Sequence, residues 1–221
     1  MKAMEAQYSD VEIITRVRSG DTALFEILIR RYNPYLYRIG RSYQYNHPDT
    51  EDLMQESYVQ AFFNLSGFEG RSSFKTWLTR IMLNNCYQKK QKLRYRKEVV
   101  AEFTGREDHI PLFHQTSSTE KIMVNKELGS VLENALGRIP EEYRVVFTLR
   151  ELNGMNVLDT TQALGISESN VKVRLNRARK MLRNEIEKMY SPDEIFEFNL
   201  RYCDRMVERV MTAINNKLRP A

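Results

Sequence analysis

The sequence predicts an all-α protein with two helical domains, joined by a flexible linker and followed by a C-terminal helical extension. Apolar residues recur at helical spacing through most of the chain, and no alternating strand pattern persists. This periodicity fades from about Glu98 to Glu120, as is typical of a linker, and returns from Lys121. The predicted divisions are therefore 1–97, 98–120, 121–190 and 191–221.

The predicted first domain contains a short helix that ends at Ser19-Gly20 and a second helix capped near Asp21. A third helix begins near Asp49, and a glycine-containing loop separates it from a long basic helix. Apolar spacing assigns the inward faces of the second and third helices to Leu24, Phe25, Leu28, Tyr32, Met54, Tyr58, Ala61, Phe62 and Leu65.

The second domain is predicted to contain a helix-turn-helix. Pro140 suits the first turn of a helix that ends at Asn153-Gly154. A shorter helix then ends at Gly165, and Ser167 caps a basic helix, which completes the motif. The residues expected in the core of this domain before the motif are Leu128, Val131, Leu132, Ala135, Leu136, Val146, Phe147 and Leu149.

The helix after Ser167 has two faces of different chemistry. Its inward face is expected to consist of Val171, Leu175, Ala178 and Leu182, which leaves Lys172, Val173, Asn176, Arg177 and Lys180 outside. Arg and Lys can donate to guanine O6 and N7, Asn can pair with adenine, and an apolar group can meet a thymine methyl. A solvated basic helix is the alternative, but the preceding "LGIS" turn favours a helix positioned for the major groove.

Charge is unevenly distributed along the chain. The sequence pI is about 9.1, which favours an anionic partner such as nucleic acid. Residues 71–100 contain nine basic side chains and one acidic side chain, whereas residues 49–56 contain four acidic side chains and no basic one. Asp52, Gln55 and Val59 share one helical face near the acidic segment. Two surfaces of opposite charge indicate two different partners.

Several function classes find no support in the sequence. Cys86 and Cys203 have neither metal-ligand nor disulfide-framework spacing, and His47, His109 and His114 form no catalytic array. No phosphate-binding glycine loop, membrane span or signal-peptide pattern is present. We therefore expect a cytoplasmic, non-enzymatic protein with no metal, cofactor, small-molecule substrate or membrane insertion.

Two separate segments resemble the extracytoplasmic-function group of bacterial RNA polymerase sigma factors. The segment "DTEDLMQESYVQAFFNLSGFEGRSSFKTWLTRI" is similar to the sigma-2 domain, and "LGRIPEEYRVVFTLRELNGMNVLDTTQALGISESNVKVRLNRARKML" is similar to the sigma-4 domain. The resemblance covers about residues 9–97 and 121–187. It implies a protein that binds core RNA polymerase, directs it to promoters and helps to open the DNA.

The resemblance implies roles for residues of the first domain. Asp52, Gln55 and Glu56 match positions that bind the clamp helices of the polymerase beta-prime subunit; a well-capped helix N-terminus is the simpler explanation of these acids. The expected minus-10 DNA contacts are Phe68, Arg71, Ser72, Lys75 and Asn84. Phe74 and Trp77 are expected in the core. The basic residues expected at phosphates, unless they only solvate a frayed helix end, are Lys89, Lys90, Lys92, Arg94, Arg96 and Lys97.

The second domain is expected to read the minus-35 element and to contact the beta flap of polymerase. The expected minus-35 contacts are Ser169, Lys172, Val173, Asn176, Arg177 and Lys180. The chain departs from the family pattern at Thr160 and Thr161, where an apolar residue and Ala are usual, and at Asn170, where Thr is common. These departures bear on the helix packing and on the promoter sequence that is read.

Residues 191–221 lie beyond a minimal two-domain sigma factor. This extension has an amphipathic helix that must cover either the sigma-4 domain or a partner, with an apolar face of Cys203, Val207, Val210 and Ile214. Cys203 is expected to be a small buried apolar residue rather than a redox sensor. The resemblance also allows an anti-sigma factor as a partner. A helix-turn-helix regulator that binds duplex DNA without polymerase is the rival interpretation, but it leaves "DTEDLMQES" and "GRSSFKTWL" unexplained.

Overall fold

A computed structural model describes residues 8–104, 120–189 and 205–212. Every regular element in these ranges is helical, which confirms the predicted all-α class. Of the described residues, those up to 182 form one compact unit, and those from 183 onwards form a second one. Within the first unit, we call residues 8–104 the N-terminal lobe and residues 120–182 the C-terminal lobe.

Four α-helices build the N-terminal lobe: α1 (Asp10–Arg18), α2 (Phe25–Ser42), α3 (His47–Phe63) and α4 (Phe74–Thr104). Short 3-10 turns at Thr22–Leu24 and Leu65–Gly67 precede α2 and follow α3. The helices enclose side chains that are at most 1% exposed, which include Leu28, Leu36, Ile39, Leu78 and Met82. Helix α4 continues seven residues beyond the predicted domain end at 97, and residues 105–119 of the predicted linker lie outside the described residues.

The helix starts differ in part from the predicted caps. Asn46 is the N-cap of α3, and its Oδ1 accepts from the Asp49 backbone N–H at 2.8 Å, so the expected cap near Asp49 is wrong. The reason is that the helix begins earlier, which places Asp49 in its first turn. The sequence predicted that Asp21 caps the second helix; Asp21 instead precedes the 3-10 turn that leads into α2, and its carboxylate accepts from Arg16 at 2.8 Å and caps no helix.

The C-terminal lobe contains α5 (Glu120–Gly137), α6 (Glu141–Phe147), α7 (Val157–Leu164) and the first part of α8 (Glu168–Met189). A π-helical turn at Thr148–Leu152 extends α6 as far as the predicted stop at Asn153-Gly154. Gly165 ends α7 in the left-handed region, at φ 65°, which glycine adopts without steric cost. Val146 and Leu149 are buried as expected, whereas Leu128 lies outside the residues whose side chains are described.

The two lobes pack against each other and share one apolar core. Val145, Leu149, Met155 and Ala163 of the C-terminal lobe are buried in the same cluster as the N-terminal core. The spacing of apolar residues predicted the burial of Leu149 among these four, but it did not predict which surface would cover it.

The second unit contains the end of α8 and a helical segment at residues 205–212. Val207 and Val210 of this segment are exposed. Cys203 and Ile214, which the sequence places on the same apolar face, lie outside the described residues.

Candidate nucleic-acid interface

Helix α8 presents the predicted reading face to solvent. Val171 and Ala178 are fully buried and Leu175 is 7% exposed, and these side chains fix the rotation of the helix. The residues on its opposite side are all exposed: Ser169, Lys172, Val173, Asn176, Arg177 and Lys180. We call this set the reading face. Val173 is 45% exposed, so an apolar group lies among the polar and charged side chains of the face.

Contacts with α6 and the π-helical turn hold the border of the reading face. Arg179 lies 2.6 Å from the carboxylate of Glu151. Arg177 Nη1 donates to the Tyr143 hydroxyl at 3.3 Å, which orients a guanidinium whose remaining N–H groups stay at the surface. Helix α8, the second helix of the motif, is therefore held by these contacts at its side as well as by its buried residues.

Helix α7, which supports α8, accommodates its two unusual threonines. Thr160 is fully buried and donates its hydroxyl hydrogen to the Asn156 carbonyl oxygen at 2.7 Å. Thr161 donates to the Val157 carbonyl oxygen at 2.8 Å. Because each hydroxyl finds a partner within its own helix, neither threonine leaves an unsatisfied polar group in the motif.

A second exposed surface runs along α3. Asp52, Gln55 and Glu56 are exposed on one side of the helix, and helical spacing extends their row to Val59 and Phe63. Val59 is 49% exposed and Phe63 is 76% exposed. We call these five residues the α3 face. Phe63 was missed by sequence reasoning, although its position eleven residues after Asp52 on a helix was the available signal.

The loop of residues 68–73 is held in place by contacts from two sides. The Phe68 ring is 9% exposed and lies 5.2 Å from the Trp77 ring centroid, so in this conformation it belongs to the core. Arg18 Nε donates to the Leu65 carbonyl oxygen at 3.0 Å, and its Nη2 donates to the Phe68 carbonyl oxygen. Sequence reasoning missed Arg18, because nothing in α1 indicates a contact almost fifty residues away.

The predicted minus-10 residues lie in different surroundings. Arg71 and Asn84 are exposed, Ser72 is half-buried, and Arg71 pairs with Glu69. Lys75 lies instead against the C-terminal lobe, where its Nζ donates to the Asn153 carbonyl oxygen at 2.5 Å, and the same Nζ lies 4.1 Å from the ring centroid of Tyr35 on α2. Burial lowers the pKa of Lys75 from its ordinary value. Since Lys75 and Asn84 are nine residues apart on α4, they point to nearly opposite sides of the helix.

The basic part of α4 carries aromatic side chains as well as cations. Lys89 pairs with Asp49 at 2.6 Å and Lys90 pairs with Glu141 at 2.8 Å, so both are engaged with carboxylates. Tyr87 and Tyr95 are 56% and 70% exposed. Lys92, Arg94 and Arg96 are exposed, and the side chain of Lys97 lies outside the described residues. Phe74 is 2% exposed and Trp77 is partly buried, which confirms their prediction as core residues.

Neither a metal-binding group nor a membrane helix is found in the described part of the chain. There, no three His, Cys, Asp or Glu side chains are grouped so that they could hold a metal ion. No described helix is both long enough and apolar enough to span a bilayer.

Comparison with known proteins identifies the family. Residues 28–96 match the family described as sigma-70 region 2, and residues 130–182 match sigma-70 region 4. An ECF RNA polymerase sigma-E factor from Haemophilus influenzae is 30% identical over 187 residues, which are 83% of this chain and 98% of that protein. The chain belongs to the ECF sigma factors. The sigma-E factor of Escherichia coli K12 is 28% identical over 187 residues, 83% of this chain and 97% of that protein.

Solved structures of other proteins share the fold. CnrH in complex with the cytosolic domain of CnrY is similar with a TM-score of 0.58 at 25% identity, over 80% of this chain and 96% of that one. RpoE of Bartonella quintana in complex with the anti-sigma factor NepR has a TM-score of 0.58 at 24% identity, over 74% of this chain and 96% of that one. The matched regions lie within the predicted ranges 1–97 and 121–190.

Membership in the ECF sigma factors accounts for the segments that a simple regulator leaves unexplained. Sigma factors are non-catalytic factors of transcription initiation, and this chain has the role of an RNA polymerase sigma factor in promoter recognition. The prediction of the family from the two motif segments is confirmed.

Proposed function

We propose that this sigma factor binds core RNA polymerase through the α3 face, with Asp52, Gln55 and Glu56 against the clamp helices of the beta-prime subunit. The acidic side chains orient the two proteins and raise their association rate, and the exposed Phe63 adds apolar contact area at the same surface. The C-terminal lobe makes the second contact, at the beta flap. Because polymerase binds one surface on each lobe, it fixes the distance between the two DNA-binding regions.

The minus-10 element is recognised by the loop of residues 68–73 and by α4. An unpaired base needs hydrogen-bonding groups and a surface on which to stack. A loop over a helix provides both better than a surface shaped for a duplex groove does. Arg71, Ser72 and Asn84 supply those groups, and Lys75 supplies charge once it is accessible. Phe68 remains a predicted contact that requires its ring to leave the core cluster, where it otherwise supports the loop from beneath.

The minus-35 element is read by the reading face of α8. The observation that supports this most strongly is the division of the helix into a buried row of Val171, Leu175 and Ala178 and an exposed row of mostly polar and charged side chains. Buried residues fix the helix, and the exposed row matches the donors and acceptors of base edges. The exposed cations of α4 contact phosphates without reading sequence.

The cellular setting follows from this role. The protein acts in the cytoplasm, without a cofactor, a catalytic group or a small-molecule substrate. An anti-sigma factor is a further partner, as NepR is for the RpoE protein of Bartonella quintana.

A reconstitution with purified core polymerase tests the proposal. The wild-type chain should join core polymerase and support run-off transcription from genomic fragments, whereas Asp52→Ala with Gln55→Ala should weaken core binding about tenfold or more. Glu26→Ala is the matched control, because Glu26 is an exposed acid on α2 and lies outside the α3 face. Equal affinities of the double variant and the wild type would refute the assignment of the α3 face.

A further inference from the structure

The guanidinium of Arg18, the last residue of α1, binds three backbone carbonyl groups at the start of the loop of residues 68–73. Its Nε donates to the Leu65 carbonyl oxygen at 3.0 Å, and its Nη2 donates to the same oxygen at 2.5 Å. Nη2 also donates to the carbonyl oxygens of Ser66, at 3.4 Å, and of Phe68. A planar guanidinium holds its donors in a fixed fork, so these contacts fix three neighbouring peptide groups relative to one side chain.

The end of α1, from which Arg18 reaches the loop, is itself firmly placed. Ile13 is fully buried and Val17, the neighbour of Arg18, is 6% exposed, so the core holds this helix. Arg16 Nη2 pairs with Asp21 Oδ2 at 2.8 Å and ties the helix end to the segment that follows it. Arg18 therefore transmits the position of a rigid helix to the loop.

The loop is anchored at both ends. At its start, the Phe68 ring lies 5.2 Å from the Trp77 ring centroid, and the Phe68 carbonyl oxygen accepts from Arg18. At its end, Ser73 Oγ accepts from the Thr76 backbone N–H at 3.1 Å. Only residues 69–72 lie between these anchors. Because the Arg18 contact is to the backbone, it does not depend on where the Phe68 ring packs.

Arg18 brings a charge as well as a set of donors. The acceptors that the described residues give it are backbone carbonyl oxygens, which carry no net charge. Its positive charge is thus available to attract phosphates, and this is the alternative to a role in positioning. A lysine at position 18 keeps the charge but lacks the planar fork, so it separates the two roles.

We infer that Arg18 is a positioning residue for minus-10 recognition, which fixes the backbone of the loop so that Arg71 and Ser72 meet an unpaired base in one geometry. The inference rests on the proposed function, which places this loop at the minus-10 element. Arg18 itself touches no base. Without its hydrogen bonds the loop samples several positions, and the base contacts lose alignment although the charges of the loop remain.

Base preference of the holoenzyme gives the first test. A promoter that the wild-type holoenzyme transcribes is randomised at the minus-10 and minus-35 elements, and binding is measured with Arg18→Ala and Arg18→Lys. Arg18→Ala should reduce the minus-10 base preference about tenfold, within the usual range for one good base contact, and leave the minus-35 preference unchanged. Arg18→Lys should recover overall affinity but not the minus-10 preference.

Arg16→Ala is the matched control, since Arg16 is another exposed cation of α1 and pairs with Asp21 instead of the loop. Full recovery of the minus-10 preference by Arg18→Lys would show that the charge alone matters and would overturn the inference. Equal minus-10 preferences of Arg18→Ala and Arg16→Ala would overturn it as well.

Fluorescence of the free chain gives a second test that needs no polymerase. Trp77 is the only tryptophan of the protein, and its ring contacts the Phe68 ring at the anchored end of the loop. Release of the Phe68 backbone should increase acrylamide quenching of Trp77 about twofold in Arg18→Ala and in Arg18→Lys, because the loop opens locally more often. Arg16→Ala should leave the quenching unchanged. If circular dichroism shows that Arg18→Ala does not fold, Arg18→Lys carries both tests.

The two measurements separate this inference from the proposed function. Unchanged quenching and unchanged minus-10 preference, with normal transcription by the wild type, would refute the role of Arg18 and leave the sigma-factor role intact. Increased quenching with an unchanged minus-10 preference would show that Arg18 holds the loop but that the loop does not read the element, which contradicts the proposed function. A loss of preference without increased quenching would place Arg18 itself at the DNA and refute positioning.

Discussion

Gly40 and Thr50 face each other where α2 passes α3, at a separation that only a glycine permits. A methyl group built on Gly40 would lie 2.5 Å from the Thr50 Cγ2 and 3.2 Å from the Met82 Cε. The Thr50 side chain cannot easily retreat, because it is fully buried and its Oγ1 donates to the Asn46 carbonyl oxygen at 2.7 Å. Close approach of these two helices therefore depends on the missing side chain.

Gly40→Ala should lower the free energy of unfolding by about 1–3 kcal/mol, the usual cost of overpacking a filled core. Urea denaturation monitored by circular dichroism measures this change. Thr50→Ser removes the Cγ2 atom that the new methyl meets, so it should restore part of the loss in the double variant although it is mildly destabilising by itself. Additive losses from the two substitutions would show that this contact is not the source of the effect.

Cys86 makes the stability of the protein sensitive to alkaline pH. Burial raises the pKa of its thiol to about 12, with the Glu141 carboxylate adding to the effect. In the unfolded chain the thiol ionises near pH 8.5, so between that pH and about 12 the folded state holds a proton that the unfolded state has lost. Stability is consequently highest below pH 8.5 and falls as the pH rises.

The expected loss from Cys86 is about 1 kcal/mol between pH 8.5 and 9.5. Urea denaturation at a series of pH values should show this decline in the wild type and a smaller one in Cys86→Ala. Cys203→Ala is the control, and it should keep the decline if the effect belongs to Cys86. Identical pH profiles for wild type and Cys86→Ala would contradict the assigned cause.

Arg177 and Lys180 should affect promoter binding in different ways. Arg177→Ala should cost about 1–3 kcal/mol at one base position and relax the preference there, because the guanidinium can donate twice to a guanine edge. Lys180→Ala should weaken binding to all sequences alike and reduce the salt slope by about one unit. Binding of holoenzyme to a library of minus-35 sequences at several salt concentrations distinguishes them. A uniform loss of affinity on Arg177→Ala would show that Arg177 does not read a base.

Phe63 should contribute to polymerase binding and little to folding. A side chain that is 76% exposed has little apolar contact to lose, so Phe63→Ala should change the free energy of unfolding by less than about 0.5 kcal/mol. At an interface the same ring can act as a hot spot, so affinity for core polymerase should fall by about 2 kcal/mol. Val11→Ala, at an exposed apolar position on α1, is the control in the same pull-down titration. Unaltered affinity of Phe63→Ala would place the ring outside the interface.

The spacing of apolar residues correctly predicted which residues of α8 are exposed, because each face of α8 depends only on positions within that helix. Gly165 was likewise predictable, since a left-handed helix end favours glycine wherever it occurs. The cap of α3 was less predictable: Asn46 and Asp49 are both good capping residues, and the backbone conformation at Asn46 decides between them.

Long-range placement could not be obtained from the sequence. Leu149 has the spacing of a core residue, but this spacing predicts burial and not the identity of the covering surface. In the sequence, Lys75 is one of several cations on a basic helix. Only its hydrogen bond to Asn153, which the structure shows, distinguishes it from Lys92. Phe63 illustrates the reverse case, since an apolar residue near other apolar residues is ordinarily assigned to the core.

The core that the two lobes share has a consequence for local unfolding. Because Val145, Leu149 and Ala163 lie in one apolar cluster with the N-terminal helices, separating the lobes wets that cluster and is a cooperative event rather than a gradual hinge motion. Buried amides of α7 then exchange with deuterium at a rate set by lobe separation, whereas amides around Leu28 and Met82 exchange only on global unfolding. Helix α7, which supports α8, is thus tied to the contact between the lobes, because its Ala163 lies in the shared cluster.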